Sequence, residues 1–198
     1  MTALKRTLLA SVLLSVAVTG RAQGASEPPM VGDPLVFLQN DVLNCGVRLQ
    51  YSRAGNQPGQ RILAMSATIL LDPLHKAMVV SFSAYDYLFK ANIEETMASN
   101  RIRPVKTGWF RTDGQGPTRP QDGMTQSLEP LDGVIYPTSD QGDLAILVAL
   151  LDGKPIEVGM RLSDTNGDLV QSGTVMMASP DKLKVKSCLD VAMGTLNK

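Results

Sequence analysis

Histidine is almost missing from this chain, cysteine is scarce, and net charge is nil. The 198 residues hold one histidine, His75, and two cysteines, Cys45 and Cys188, and 19 lysines and arginines balance 19 aspartates and glutamates. One histidine excludes a multi-histidine zinc or copper centre. It also leaves His75 as the sole imidazole for Ser-His-Asp or Cys-His chemistry, and no Gly-x-Ser-x-Gly elbow accompanies it. It follows Asp72-Pro73-Leu74 and reads as a surface turn residue. A balanced chain lacks the cation excess with which nucleic-acid binders neutralise phosphates, so no nucleic-acid partner is expected.

No Cys-x-x-Cys pair is present, and the two cysteines read as one structural disulfide rather than a redox or metal pair. A Cys45–Cys188 bridge would close a loop over most of the domain and, on the chain-entropy view, stabilise it by roughly 4–5 kcal/mol. The ten methionines form no repeat and are read as core packing.

The N-terminus has the pattern of a secretory leader. Lys5-Arg6 precede an apolar run from Leu8 to Val18, and Gly20-Arg21-Ala22 and Ala22-Gln23-Gly24 both offer small residues for cleavage. Neither that run nor Leu144–Leu151 approaches the roughly 20 residues a bilayer span needs, so no stable membrane anchor is expected after cleavage. Residues 1–24 are thus read as signal peptide, 25–34 as a proline-containing linker and 35–198 as a single globular domain. Removing the leader, which carries Lys5, Arg6 and Arg21 and no acid, leaves a net charge of −3. The expected location is periplasmic or secreted.

The last third carries the most consistent local signals. Thr138, Ser139 and Asp140 are potential caps for a buried helix over Leu144–Leu151, with Gly153 and Pro155 ending it. Ile156, Val158, Met160 and Leu162 alternate with Glu157, Gly159, Arg161 and Ser163 as a half-buried strand. Asn166-Gly167 predicts a tight hairpin turn to a return strand over Leu169–Ala178. Ser179-Pro180 then opens a final helix to about Met193, with Leu183, Cys188, Leu189, Ala192, Met193 and Leu196 on one face and Lys182, Lys184 and Lys186 largely solvated.

Earlier in the chain, Cys45, Val47, Leu49 and Tyr51 alternate as a strand within Leu35–Tyr51. Arg61–Leu71 and Ala77–Ala84 follow as strands, separated by Asp72-Pro73. Tyr85–Ser99 is read as a helix, Ile102–Phe110 as a strand with Pro104 at its start or a sheet edge, Thr112–Gln126 as a loop, and Gly133–Tyr136 as a short strand. The expected fold is α+β: an antiparallel sheet of about six strands, two or three flanking helices, and one disulfide.

Two weak motifs are set aside. Asp164-Thr-Asn-Gly-Asp168 starts like a calcium loop, but Leu169 stands where glycine is needed and Val175 where a bidentate glutamate is needed. Glu94-Glu95 are adjacent on an expected helix and point apart, so they form no acid/base pair. No cofactor or metal is expected. The segment 101–119 is the candidate interaction surface: Arg101, Arg103, Lys106, Arg111 and Arg119 surround the sole tryptophan, Trp109, with only Asp113 as an acid. Arginine and tryptophan are over-represented at binding hot spots. The leading reading is an exported, non-catalytic binding or accessory protein that meets a protein or an anionic envelope or surface ligand there. A hydrolase using His75 and a structural envelope-assembly subunit are the alternatives.

Overall fold

The computed structural model describes residues 29–54, 59–119, 126–128, 133–138 and 141–196. The expected leader, linker residues 25–28, residues 55–58 and 120–125, and the capping candidates Ser139 and Asp140 lie outside the described residues. The order of elements is β1 (Val31–Gln39), β2 (Val42–Ala54), β3 (Arg61–Asp72), β4 (Ala77–Leu88), α1 (Ile93–Ala98), β5 (Arg101–Arg103), β6 (Val105–Thr112), β7 (Gln126–Leu128), β8 (Gly133–Thr138), α2 (Gln141–Leu151), β9 (Ile156–Leu162), β10 (Leu169–Gly173) and α3 (Ser179–Leu196). Six strands run β1-β2-β3-β4-β8-β7, with short β5 also beside β4, and a second sheet runs β10-β9-β6. The pairings between strands are antiparallel, and the fold is α+β, mostly β.

Period-2 patterning builds the core. Val47 faces Ile69 and Ile69 faces Val80, while Leu49 faces Ala67 and Ala67 faces Phe82; these apolar rows are all buried. Against this inner face pack Ile146, Leu147 and Leu150 of α2, Phe110, Val158 and Met160 of the small sheet, and Val185, Leu189 and Ala192 of α3. Cys45 and Cys188 form the disulfide, with Cα atoms 5.8 Å apart, and it fastens α3 to β2. Where the sheets meet, Phe82 lies 5.2 Å from Phe110, centroid to centroid. Gly108 makes that approach possible, because a Cβ there would sit 2.3 Å from the Phe82 ring. The buried Tyr136 hydroxyl donates to the Gly108 carbonyl, and burial pushes this phenol up to about 12.

Helix α2 ends as expected. Gly153 has φ +75°, and the N–H groups of Gly153 and Lys154 return to the carbonyls of Leu150 and Ala149, a Schellman closure.

Several local expectations change. The Leu35–Tyr51 stretch is a hairpin, turned by Asn40 and Asp41 at φ 51° and 59°, the left-handed values a two-residue turn demands. Strand β1 begins at Val31, within the stretch read as linker. The expected helix over Tyr85–Ser99 is mostly absent: β4 continues to Leu88, and α1 covers only six residues, capped by Asn92. Pairing of Tyr85 and Tyr87 with Ala64 and Ile62 outweighs the helical spacing of the apolar residues there. Asn166-Gly167 makes no tight turn; β9 and β10 are joined by a loop over 163–168, in which Asp164 and Asp168 are held by residues from other elements. The return strand stops at Gly173, and Met176 then forms a parallel bridge to Val31. Helix α3 starts at Ser179, one residue early, with the Ala178 carbonyl accepting from Lys182. Thr138 ends β8 and donates its hydroxyl to the Met78 carbonyl.

Candidate functional site

Pro104 divides the basic segment between the two sheets. Arg101 and Arg103 lie on β5, beside β4 of the large sheet, and Lys106, Trp109 and Arg111 lie on β6, beside β9 of the small one. Proline cannot extend a ladder through its nitrogen, so it suits a strand that leaves one sheet for another. Arg119 follows in the loop and is exposed.

Arg103 ties the sheets together. Its guanidinium donates to both carboxylate oxygens of Asp164, at 2.7 and 2.5 Å, and lies 3.5 Å from Asp86 Oδ2. Arg61 meets the same Asp86 oxygen at 2.6 Å. Asp86 is buried on the inner face, and two cations partner it there. The hydrogen bond from Arg103 holds the Asp164 carboxyl below the usual carboxylate range, and Asp164 raises Arg103 in return.

Trp109 is half-buried on the outer face of the small sheet. It stands directly opposite Gly159 on β9, where an added Cβ would lie 2.0 Å from the indole Cε2. The ring therefore crosses the β9 backbone at the one position without a side chain. Its Nε1–H donates to Asp168 at 2.9 Å, and Arg161 donates to the other oxygen of that carboxylate at 2.7 Å. These bonds, Trp109's foremost, hold the Asp168 carboxyl below its ordinary range. Arg111 lies over the indole at 5.3 Å and is ion-paired with Glu157. Beside it a cleft of about 340 Å³ opens between Arg111, Asp113, Gln115, Glu157 and Ser172.

Of the six residues singled out by sequence, Trp109 and Arg111 thus come together, and Arg103 is engaged between sheets. Arg101, Lys106 and Arg119 are exposed and have no ion-pair partner among the described residues. Spatial neighbours Glu157, Asp164, Asp168 and Asp86 neutralise much of the basic stretch. Counting Arg61 and Arg161 with the five cations, and Asp113 with these four acids, an excess of two positive charges remains. Period-2 spacing puts Glu157, Gly159 and Arg161 on one face, but local spacing carries no information on the register of β9 against β6.

His75 lies elsewhere, in the turn between β3 and β4. Its Nδ1 is 2.6 Å from Asp72 Oδ2, and Asp72 Oδ1 also accepts the backbone N–H groups of Leu74 and His75. Among the described residues no serine hydroxyl bonds to His75, and no three metal-ligating side chains converge. No described helix is long and apolar enough to cross a membrane. No family model, curated protein or solved structure matches the chain.

Proposed function

We propose that this chain is an exported, non-catalytic binding or accessory protein whose outer small-sheet face docks an acidic partner, either a protein or an anionic envelope component. One observation carries the reading: Trp109 is pinned on an open face by Gly159 and Asp168, with the surplus cations Arg101, Lys106 and Arg119 along the same segment. A pre-positioned indole loses little freedom on binding, and surplus charge steers an oppositely charged partner. Export is supported by the leader-like N-terminus and by the disulfide, a bond that persists in oxidising compartments.

The test is native mass spectrometry and pull-down with protein from an oxidising compartment, comparing wild type, Trp109→Ala, and Arg101→Glu with Lys106→Glu. Arg103 and Arg111 are left intact because both are spent on ion pairs inside the protein. A partner held by wild type should bind Trp109→Ala at least ~30-fold more weakly, the effect of losing a hot spot of about 2 kcal/mol. Charge reversal should slow association and reduce its salt dependence. Equal capture by all three, with unchanged melting temperatures, would refute the reading.

A further inference from the structure

The large sheet has an open face too, and it differs in chemistry from the small one. Alternation turns Gln50, Ser52, Ala64, Ser66, Tyr85 and Tyr87 away from the core. In register, Val31 faces Gln50 and Gln50 faces Ser66, while Ser52 faces Ala64 and Ala64 faces Tyr85. The middle of the face therefore carries the shortest side chains, with taller groups on both flanks. The result is a groove of about 450 Å³, floored by Ser52, Ala64 and Ser66. Pro29 and Val31 bound it on the β1 side, and Tyr85 and Tyr87 on the β4 side. The tyrosine rings stand side by side, 6.5 Å between centroids and tilted by 35°. Four strands at the usual spacing of about 4.8 Å make the groove about 14 Å across.

Among the described residues, no side chain lining the groove is an acid or a base of the Asp, Glu, Lys, Arg or His type. Burial, with Tyr85 next to it, raises the Tyr87 phenol, which stays neutral. The nearest charged pair on this face, Asp33 opposite Arg48, lies one row along, about 7 Å away. An ionic ligand would lose water here and find no counter-charge. A purely apolar ligand would cover the Gln50 amide and the serine hydroxyls without satisfying them. A sugar ring meets both demands: its C–H faces stack on tyrosine rings, and its hydroxyls exchange hydrogen bonds with amide, serine and phenol groups.

We propose that this groove binds an uncharged oligosaccharide laid across β1 to β4. The site is separate from the Trp109 face and does not depend on that reading.

Titration calorimetry of the full disulfide-bonded protein with cellohexaose, maltohexaose and the N-acetylglucosamine hexamer tests it, with an oligogalacturonate as the anionic control. At least one neutral hexamer should bind saturably, with a Kd below about 1 mM, equivalent to roughly −4 kcal/mol. Tyr85→Ala and Tyr87→Ala should each weaken it tenfold or more, and Trp109→Ala should leave it unchanged. Ala64→Leu, which fills the floor and keeps both rings, should also abolish binding, and it decides the matter if a tyrosine variant is poorly folded. Absence of binding by all three neutral sugars overturns the proposal. So does preference for the anionic oligomer, or binding that survives the tyrosine and Ala64 changes but is lost with Trp109.

Discussion

The two open sheet faces solve opposite problems. On the small sheet the polar side chains are long and charged, and they are spent on one another: Arg111 on Glu157, and Asp168 on Trp109 and Arg161. The one aromatic ring on its outer face, Trp109, lies flat because Gly159 is bare beneath it. On the large sheet the central side chains are short and neutral, and the aromatic groups stand at one side as a wall. One face offers a fixed shape set among paired charges, and the other offers space. The sheets are also held differently. The large sheet is tied to α3 by a covalent bond, while the small one is reached through Pro104 and tied back by the Arg103 ion pairs and by an Arg53 hydrogen bond to the Val170 carbonyl.

The largest effect should come from removing the covalent tie. Changing Cys45 and Cys188 together to alanine should cost about 4–5 kcal/mol, because the closed loop spans most of the domain. Hydrogen exchange should then show β1, β2 and α3 losing protection first, with β6 and β9 following. Equal loss in both sheets would erase the contrast in how they are held. A smaller effect separates two glycines that each lie under an aromatic ring. Gly108→Ala drives a Cβ into Phe82, which is buried beside Phe110 and Tyr136 and has nowhere to go, so it should destabilise by about 1–3 kcal/mol. Gly159→Ala displaces Trp109, which can swing into solvent, so the loss should be nearer the ~1 kcal/mol of one hydrogen bond. It should also red-shift the tryptophan emission, whereas Gly108→Ala should not. Similar losses in denaturant melts would mean that Trp109 is as confined as Phe82.

Alternation made the inner faces legible. The rows of Cys45 to Tyr51 and Met65 to Leu71, the apolar positions of β9 and the glycine stop of α2 follow from local spacing alone, and so does the disulfide once only two cysteines exist. The candidate site was legible only as a list of residues. Trp109 and Asp168 are 59 positions apart, and Arg103 and Asp164 are 61 apart, so their pairing depends on register between strands that have no short connection. Without it, a half-neutralised face reads as a basic one. The tyrosine groove is hidden by a competing period: Leu88, Phe89, Ile93 and Met97 have roughly helical spacing, and that spacing masks the period-2 placement of Tyr85 and Tyr87 on β4. The Asn-Gly turn failed for a related reason, because the acids beside it reach partners on other elements and a longer loop satisfies them.

The smallest expected effect separates the two faces by acid. Asp164 and Asp168 have carboxyls held below the usual range by Arg103, and by Trp109 with Arg161, respectively. An unfolded aspartate titrates near about 3.9, so their contribution is complete above that pH and is lost as pH falls through the lower folded values. Acidification below about pH 4 should therefore loosen the small sheet first. Trp109 emission should shift before the far-ultraviolet backbone signal changes, and Asp168→Asn should bring that early step toward neutral pH or remove it. The groove on the large sheet has no carboxylate in its lining among the described residues, so sugar binding there should stay constant across the same early step. If emission and backbone signals move together in wild type and in Asp168→Asn alike, the indole is held by packing rather than by the carboxylate. The contrast between a charge-pinned face and a neutral one would then rest on Gly159 alone.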